Sequence, residues 1–140
     1  MPLTIQEMAR RSGFSEPTLR YYEKIGLLGV VERDASSGHR RYDETVVARV
    51  EALACLRSSG VTVDGMRRYV ELVDKGDGAA GELRELFDEH AAHLAAEIER
   101  LRVRQEYLVL KARMWDARDQ GDRRAEAETV KRVEEILRRF

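Results

Sequence analysis

The 140-residue sequence holds a single cysteine, Cys55. That excludes an internal disulfide framework and fits a reducing compartment. Only two prolines are present, Pro2 and Pro17, so the chain after Tyr42 is free to be almost all helix. No apolar run approaches the roughly 18 residues that would span a membrane. No basic stretch followed by an apolar one opens the sequence, so a cytoplasmic protein without a secretory leader is expected. A Gly-rich phosphate loop, an HExxH helix and a nucleophile elbow are all missing, which leaves little ground for an enzyme.

What is abundant is charge. Asp, Glu, Lys and Arg make up 36% of the residues. A helical chain this charged usually completes its core by pairing with another chain. The net charge of −1 does not announce a nucleic-acid binder, but its distribution is uneven. Residues 1–42 carry seven Lys/Arg against five Asp/Glu, and the remainder 18 against 21. Arg33, Arg40 and Arg41 fall near one expected hairpin. On charge alone, that cluster fits a solvated loop as well as a DNA contact.

Local signals divide the chain into short elements. Thr4 can cap a first helix carrying Ile5, Met8 and Ala9, which Ser12-Gly13 ends. Ser15 caps a second, with Pro17 in its first turn and Leu19, Tyr22 and Ile25 on its apolar side. Leu27 to Val31 reads as a strand, residues 33–38 as a turn, and His39 to Tyr42 as the return strand. Asp43 caps a third helix. One of its faces is Val46, Val50 and Leu53; another is uniformly small, with Ala48, Ala52, Cys55 and Ser59. Thr62 caps a fourth helix, with Met66, Val70 and Val73 facing inward, and Gly76-Asp77-Gly78 reads as a linker. From about Glu82 to Trp115 nothing breaks the helix. Phe87, Leu94, Leu101, Leu108 and Trp115 recur every seventh residue, with Ala91, Ile98, Gln105 and Ala112 four residues after each of the first four. That stripe needs a partner. After Gly121, a last amphipathic helix carries Val130, Val133, Leu137 and Phe140 on one side.

Ala9, Gly13 and Leu19 have the spacing of a helix-turn-helix: a small crossing residue, a turn glycine and a core anchor. Thr18-Leu19-Arg20-Tyr21-Tyr22-Glu23-Lys24-Ile25-Gly26-Leu27-Leu28 then resembles the MerR family of regulators. The resemblance continues through Ser37-Gly38-His39-Arg40-Arg41-Tyr42 and Leu56-Arg57-Ser58-Ser59-Gly60-Val61, and covers roughly residues 1–76. It implies a mainly α fold: a winged helix-turn-helix followed by a long dimerisation helix, forming an antiparallel coiled coil in the homodimer. It implies that Arg20, flanked by Thr18 and Tyr21, reaches phosphate or a base edge. Tyr22 corresponds to a phosphate contact, though its periodicity also fits core. Arg40 corresponds to the wing's backbone contact, with Arg33 and His39 as weaker carry-overs, and Tyr42 to the wing's packing anchor within the DNA-binding set. Pro17 departs from the polar residue that relatives often place there. The implied partners are double-stranded promoter DNA, RNA polymerase at that promoter and a small effector. The implied mechanism is distortion of an overlong promoter spacer.

The effector is less legible. One cysteine cannot supply a thiolate-rich metal site, and residues 116–140 are too short for an added ligand-binding domain. The segments 54–57 and 67–72 look more like members answering aldehydes or other electrophiles in a stress response. Cys55 has two readings, a small core residue or an electrophile-sensing thiol. His90 and His93 with Glu89 and Glu97 suit a charged coil face better than a metal site, and no cofactor is expected. Trp115 with Tyr107 could line a ligand pocket, but coil core fits better. The expected organisation is a DNA-binding domain over 1–76, a linker and coiled-coil helix over 77–121 with Phe87, Leu94, Ile98, Leu101, Leu108 and Trp115 at the dimer interface, and a C-terminal helix over 122–140. The competing expectation is a coiled-coil interaction protein without DNA-dependent function.

Overall fold

A computed structural model describes all residues, 1–140, and divides into two compact units, Met1–Asp88 and Glu89–Phe140. Helix α1 spans Ile5–Ser12, α2 Glu16–Lys24, α3 Glu44–Ser58 and α4 Val63–Asp74. Helix α5 spans Ala80–Asp119 and α6 Arg123–Leu137. Five of the six begin on a side-chain cap that satisfies an orphan amide. Thr4, Ser15, Asp43, Thr62 and Asp122 each accept from a backbone N–H three residues on. Thr4 and Glu7 complete a reciprocal capping box.

The first unit folds around Met8 of α1, Leu19 and Tyr22 of α2, Leu27, Leu28, Tyr42, Val50 and Leu53 of α3, and Met66 of α4. Gly13 takes a left-handed φ of 82°, which lets α2 start with only three residues between it and α1. The sheet is smaller than the sequence suggests. Strand β1 is only Glu32–Arg33 and β2 only Arg40–Arg41, antiparallel, pairing Glu32 with Arg41 and Arg33 with Arg40. The strand expected over 27–31 is instead an irregular segment that buries Leu27, Leu28 and Val31. Positive φ at Gly26 and Gly29 breaks any extended run there. The other end of the wing is secured by an isolated bridge between Leu3 and Tyr42, with both backbone hydrogen bonds at 2.8 Å.

The stretch at the boundary expected near residue 76 is structured. Gly76–Ala79 is a 3-10 turn rather than a loose linker, and it packs against α4, burying Leu72 and Ala79. Leu72 thus takes the inward place expected of Val73, which stays partly exposed. The start of α5 is tied to the same unit: Arg68 pairs with Glu82 at 2.7 Å, and Tyr69 meets the Phe87 ring edge-on at 5.9 Å.

In the second unit, α6 is not a separate body. It covers a face of α5 made by Val103 and Leu110, against which Val133 and Ile136 pack, with Tyr107 beside them. Met114 and Ala117 continue the buried line. The expected α6 face is therefore rotated. Ile136 is buried, whereas Val130, Leu137 and Phe140 stay partly exposed, although Phe140 meets Tyr107 edge-on at 5.4 Å. Arg139 reaches both Glu99 and Glu106 on α5. The heptad stripe lies on the other side of α5, because residues two apart differ by about 200° around a helix. Leu94, Ile98, Leu101, Leu108 and Trp115 are all exposed within the chain, between 39% and 65%.

Leu53 is wholly enclosed in the first unit. Its truncation to alanine should cost that unit roughly 2–5 kcal/mol in urea denaturation. A loss below about 1 kcal/mol would show that the core lies elsewhere.

Candidate nucleic-acid interface

The cationic side chains of α2 and the wing are brought together by what is buried beneath them. Leu19 and Tyr22 fill the core, so Arg20 and Tyr21 must point outward from α2. The wing turn is organised by Asp34. Its carboxylate accepts from the Ser36 amide, the Ser36 hydroxyl and the Ser37 amide. Those hydrogen bonds hold the Asp34 carboxyl well below the usual carboxylate range. A carboxyl with a depressed folded-state pKa keeps its stabilising effect above its unfolded value and loses it only as pH falls further. The turn therefore remains set throughout neutral and mildly acidic conditions. Arg33 donates from Nη1 to the Gly38 carbonyl at 3.1 Å, and Arg41 lies 3.6 Å from Asp34. Arg40 donates from Nε to Glu23 of α2 at 2.5 Å.

The result is a hollow of about 340 Å³ walled by Arg20, Arg33, His39, Arg40 and Arg41, with Thr4 and Gln6 at the start of α1. Four of the side chains expected at DNA thus converge: Arg20, Arg33, His39 and Arg40. Guanidinium groups gathered on one face suit an array of phosphates. Thr18, Tyr21 and Tyr22 line a different hollow, of about 350 Å³, where Arg57 of α3 joins them. The Thr18 hydroxyl also accepts from Ser15 at 2.9 Å, within the α2 cap. The Tyr22 ring is core, set edge-on against Phe14 at 5.1 Å.

Tyr42 corrects its place in the expected contact set. It is fully enclosed, with its hydroxyl buried and unpaired, so it has no surface for DNA and serves as the wing's anchor alone. Burial, reinforced by the Glu23 charge, pushes its phenol pKa upward. Arg57, outside the set expected from the sequence, stands beside Thr18, Tyr21 and Tyr22. Its guanidinium stacks over Phe14 at 5.5 Å from the ring centre and borders the Thr18 surface. Only the fold brings the end of α3 beside α2. Arg41, noticed in the sequence for its charge, joins the hollow by register, opposite Glu32.

Cys55 is exposed rather than core. It borders a hollow of about 420 Å³ with Arg11, Glu51 and Ser59. Its one-turn neighbours, Glu51 and Ser58 on α3 and Ser59 at its C-cap, offer no cation, and Arg11 of α1 is paired with Glu51 at 3.2 Å. The small face it belongs to is open: Ala48 and Ser59 are exposed and Ala52 half-buried. His90, His93, Glu89 and Glu97 do not converge into a group of three or more metal-capable side chains.

Two helices joined by a glycine turn, followed by a short wing whose arginines face the same side as the second helix, define a winged helix-turn-helix protein. Comparison with known proteins narrows this class. The model described as "MerR HTH family regulatory protein" matches residues 3–72, and the one described as "MerR, DNA binding" matches residues 47–110. The regulator AdhR of Bacillus subtilis is 36% identical over 75 residues, 54% of this chain. The matched part is about half of AdhR's own length, 53%. An HTH-type transcriptional regulator of Haemophilus influenzae is 31% identical over 102 residues, covering 73% of this chain and 75% of that protein. Among solved structures, HiNmlR, a MerR family regulator lacking the sensor domain and bound to promoter DNA, superposes with a TM-score of 0.74 at 29% identity. That match covers 90% of this chain and 96% of HiNmlR. The chain belongs to the MerR HTH family.

Removing one phosphate-facing cation lowers the salt slope of DNA binding by about one. Arg20→Ala should do so on a mixed-sequence duplex, with the fold unchanged, because Arg20 only loosely meets Glu16 at 3.8 Å. Anisotropy titrations over a salt series check this. An unchanged slope would remove Arg20 from the interface.

Proposed function

We propose that the protein is a homodimeric, cytoplasmic transcription regulator. In this reading it grips a pseudo-palindromic promoter with two copies of the α2–wing surface and alters transcription by distorting the spacer DNA for RNA polymerase. Residues 1–76 would carry the DNA contacts, 77–121 the pairing helix and 122–140 its companion helix. The observation that carries the reading is the convergence of Arg20, Arg33, His39 and Arg40 on one hollow. The promoter-bound state of HiNmlR adds support. A coiled-coil protein without DNA function would have no use for such a cluster.

Pairing through α5 is supported by the exposure of Leu94, Leu101 and Leu108, one heptad apart, on the side that α6 leaves open. These side chains contribute little to the chain's own core. Leu101→Asp should therefore yield folded monomers, because pairing would bury an unpartnered charge. Sedimentation velocity checks this, and an unchanged dimer would place the interface elsewhere.

For the effector, Cys55 is read as a thiol that meets a small electrophile. Its exposure and its place on the rim of an open hollow support this, since a small reagent can reach the sulfur. An adduct on this open face of α3 would act against a second molecule that docks there, not against the chain's own core. Overpacking of about 1–3 kcal/mol is comparable to a typical allosteric coupling energy. Cys55→Ser should bind DNA as the parent does and lose both the adduct, read as a mass shift, and the change in DNA affinity. A variant that still responds normally would leave the effector to bind noncovalently.

A further inference from the structure

We propose that Glu23 is a positioning residue for DNA binding: it grips the Nε edge of Arg40 and aims the other two guanidinium nitrogens at a phosphate. The proposal rests on the reading of Arg40 as a phosphate contact. The geometry singles out this pair among the ion pairs of α2 and the wing. Arg20 meets Glu16 at 3.8 Å and Arg41 meets Asp34 at 3.6 Å, all four side chains being about one-third exposed or more. Exposed pairs at that range are screened and hold little. The Glu23–Arg40 contact is 2.5 Å, both side chains are about one-fifth exposed, and 17 residues of sequence separate them. It is the ion pair that ties α2 to the wing.

A guanidinium is a planar fork with a separate Nε edge. Glu23 occupies that edge through one carboxylate oxygen. Nη1 and Nη2 of Arg40 make no hydrogen bond within the chain, and the side chain walls the cationic hollow. These two nitrogens form the pair that engages phosphate in a bidentate manner. At the other end of the side chain, the backbone is fixed by strand pairing with Arg33 and by the enclosed Tyr42 two residues on. Held at both ends, Arg40 has fewer rotamers to lose on binding, and its separation from Arg20 is set before DNA arrives. The opposite role for Glu23, a carboxylate competing with phosphate for Arg40, predicts the opposite sign.

The test uses full-length protein and a mixed-sequence duplex, titrated over a salt series by fluorescence anisotropy. Arg40→Ala should weaken binding about five- to tenfold and lower the salt slope by about one. Glu23→Ala should reproduce both changes even though it removes a negative charge. Glu23→Gln keeps an acceptor oxygen for Nε and should bind at least as tightly as the parent. The double variant Glu23→Ala/Arg40→Ala should bind no more weakly than Arg40→Ala alone. Arg40→Lys keeps the charge but has no fork to aim, so it should also lose affinity, and it covers the case in which Glu23→Ala fails to fold. If Arg40→Ala changes nothing, the phosphate role of Arg40 itself falls. If Arg40→Ala weakens binding but Glu23→Ala matches or exceeds the parent, or the two losses multiply, only the positioning role falls. Parent-like binding by Arg40→Lys would overturn it too.

Discussion

The burial of Tyr42 is the constraint on which the DNA-facing surface depends. A hairpin with two residues in each strand cannot stand alone in water. Here its second strand runs straight into a side chain with no exposed surface, and the Leu3 bridge closes on the same residue. The wing is therefore an extension of the helical core. Its enclosed hydroxyl has no partner, which carries a desolvation cost. That cost is offset by ring burial and by the placement of Arg40 and Arg41 immediately before it.

From that anchor the electrostatics follow. Arg20, Arg33, Arg40 and Arg41 share the walls of one hollow, an arrangement that mutual repulsion opposes. Arg33 is held by the Gly38 carbonyl and Arg40 by Glu23, while Arg20 and Arg41 only loosely meet Glu16 and Asp34. None of the three carboxylates lines the hollow, so its walls are cationic although the chain carries a net charge of −1. Charge balance over the whole chain hides this, because the relevant quantity is which groups a turn and a helix face collect.

Features governed by neighbouring residues could be read from the sequence, and those settled by distant packing could not. The five caps at Thr4, Ser15, Asp43, Thr62 and Asp122 depend on a hydrogen bond spanning three residues, so their residue types announce them. Leu27 to Val31 has the apolar content of a strand, but Gly26 lies just ahead of it and Gly29 within it. Their left-handed backbones turn it into a plug for the core. On α4, Val73 and Leu72 differ by about 100° around the helix. Only the 3-10 turn packed on that helix decides between them. The long helix carries two apolar lines, a strict heptad and a second line through Val103 and Leu110 that faces α6. At the site, the family motif located Arg20, Arg33, His39 and Arg40, whereas Arg57 and Glu23 needed the fold to show what stands beside them. The resemblance puts Tyr42 in the DNA-binding set as the wing's packing anchor, and its enclosure leaves only the anchoring part.

The central claim is that the α2–wing surface of the first unit is what meets duplex DNA. Amide hydrogen exchange of the full-length protein, with and without a mixed-sequence duplex at low salt, tests it directly, since electrostatic binding needs no operator. The account predicts that DNA slows exchange at residues 4–6, over α2 and across 32–41, and leaves 123–137 unchanged. Slowed exchange confined to α5 and α6, with residues 32–41 unaffected, would contradict it.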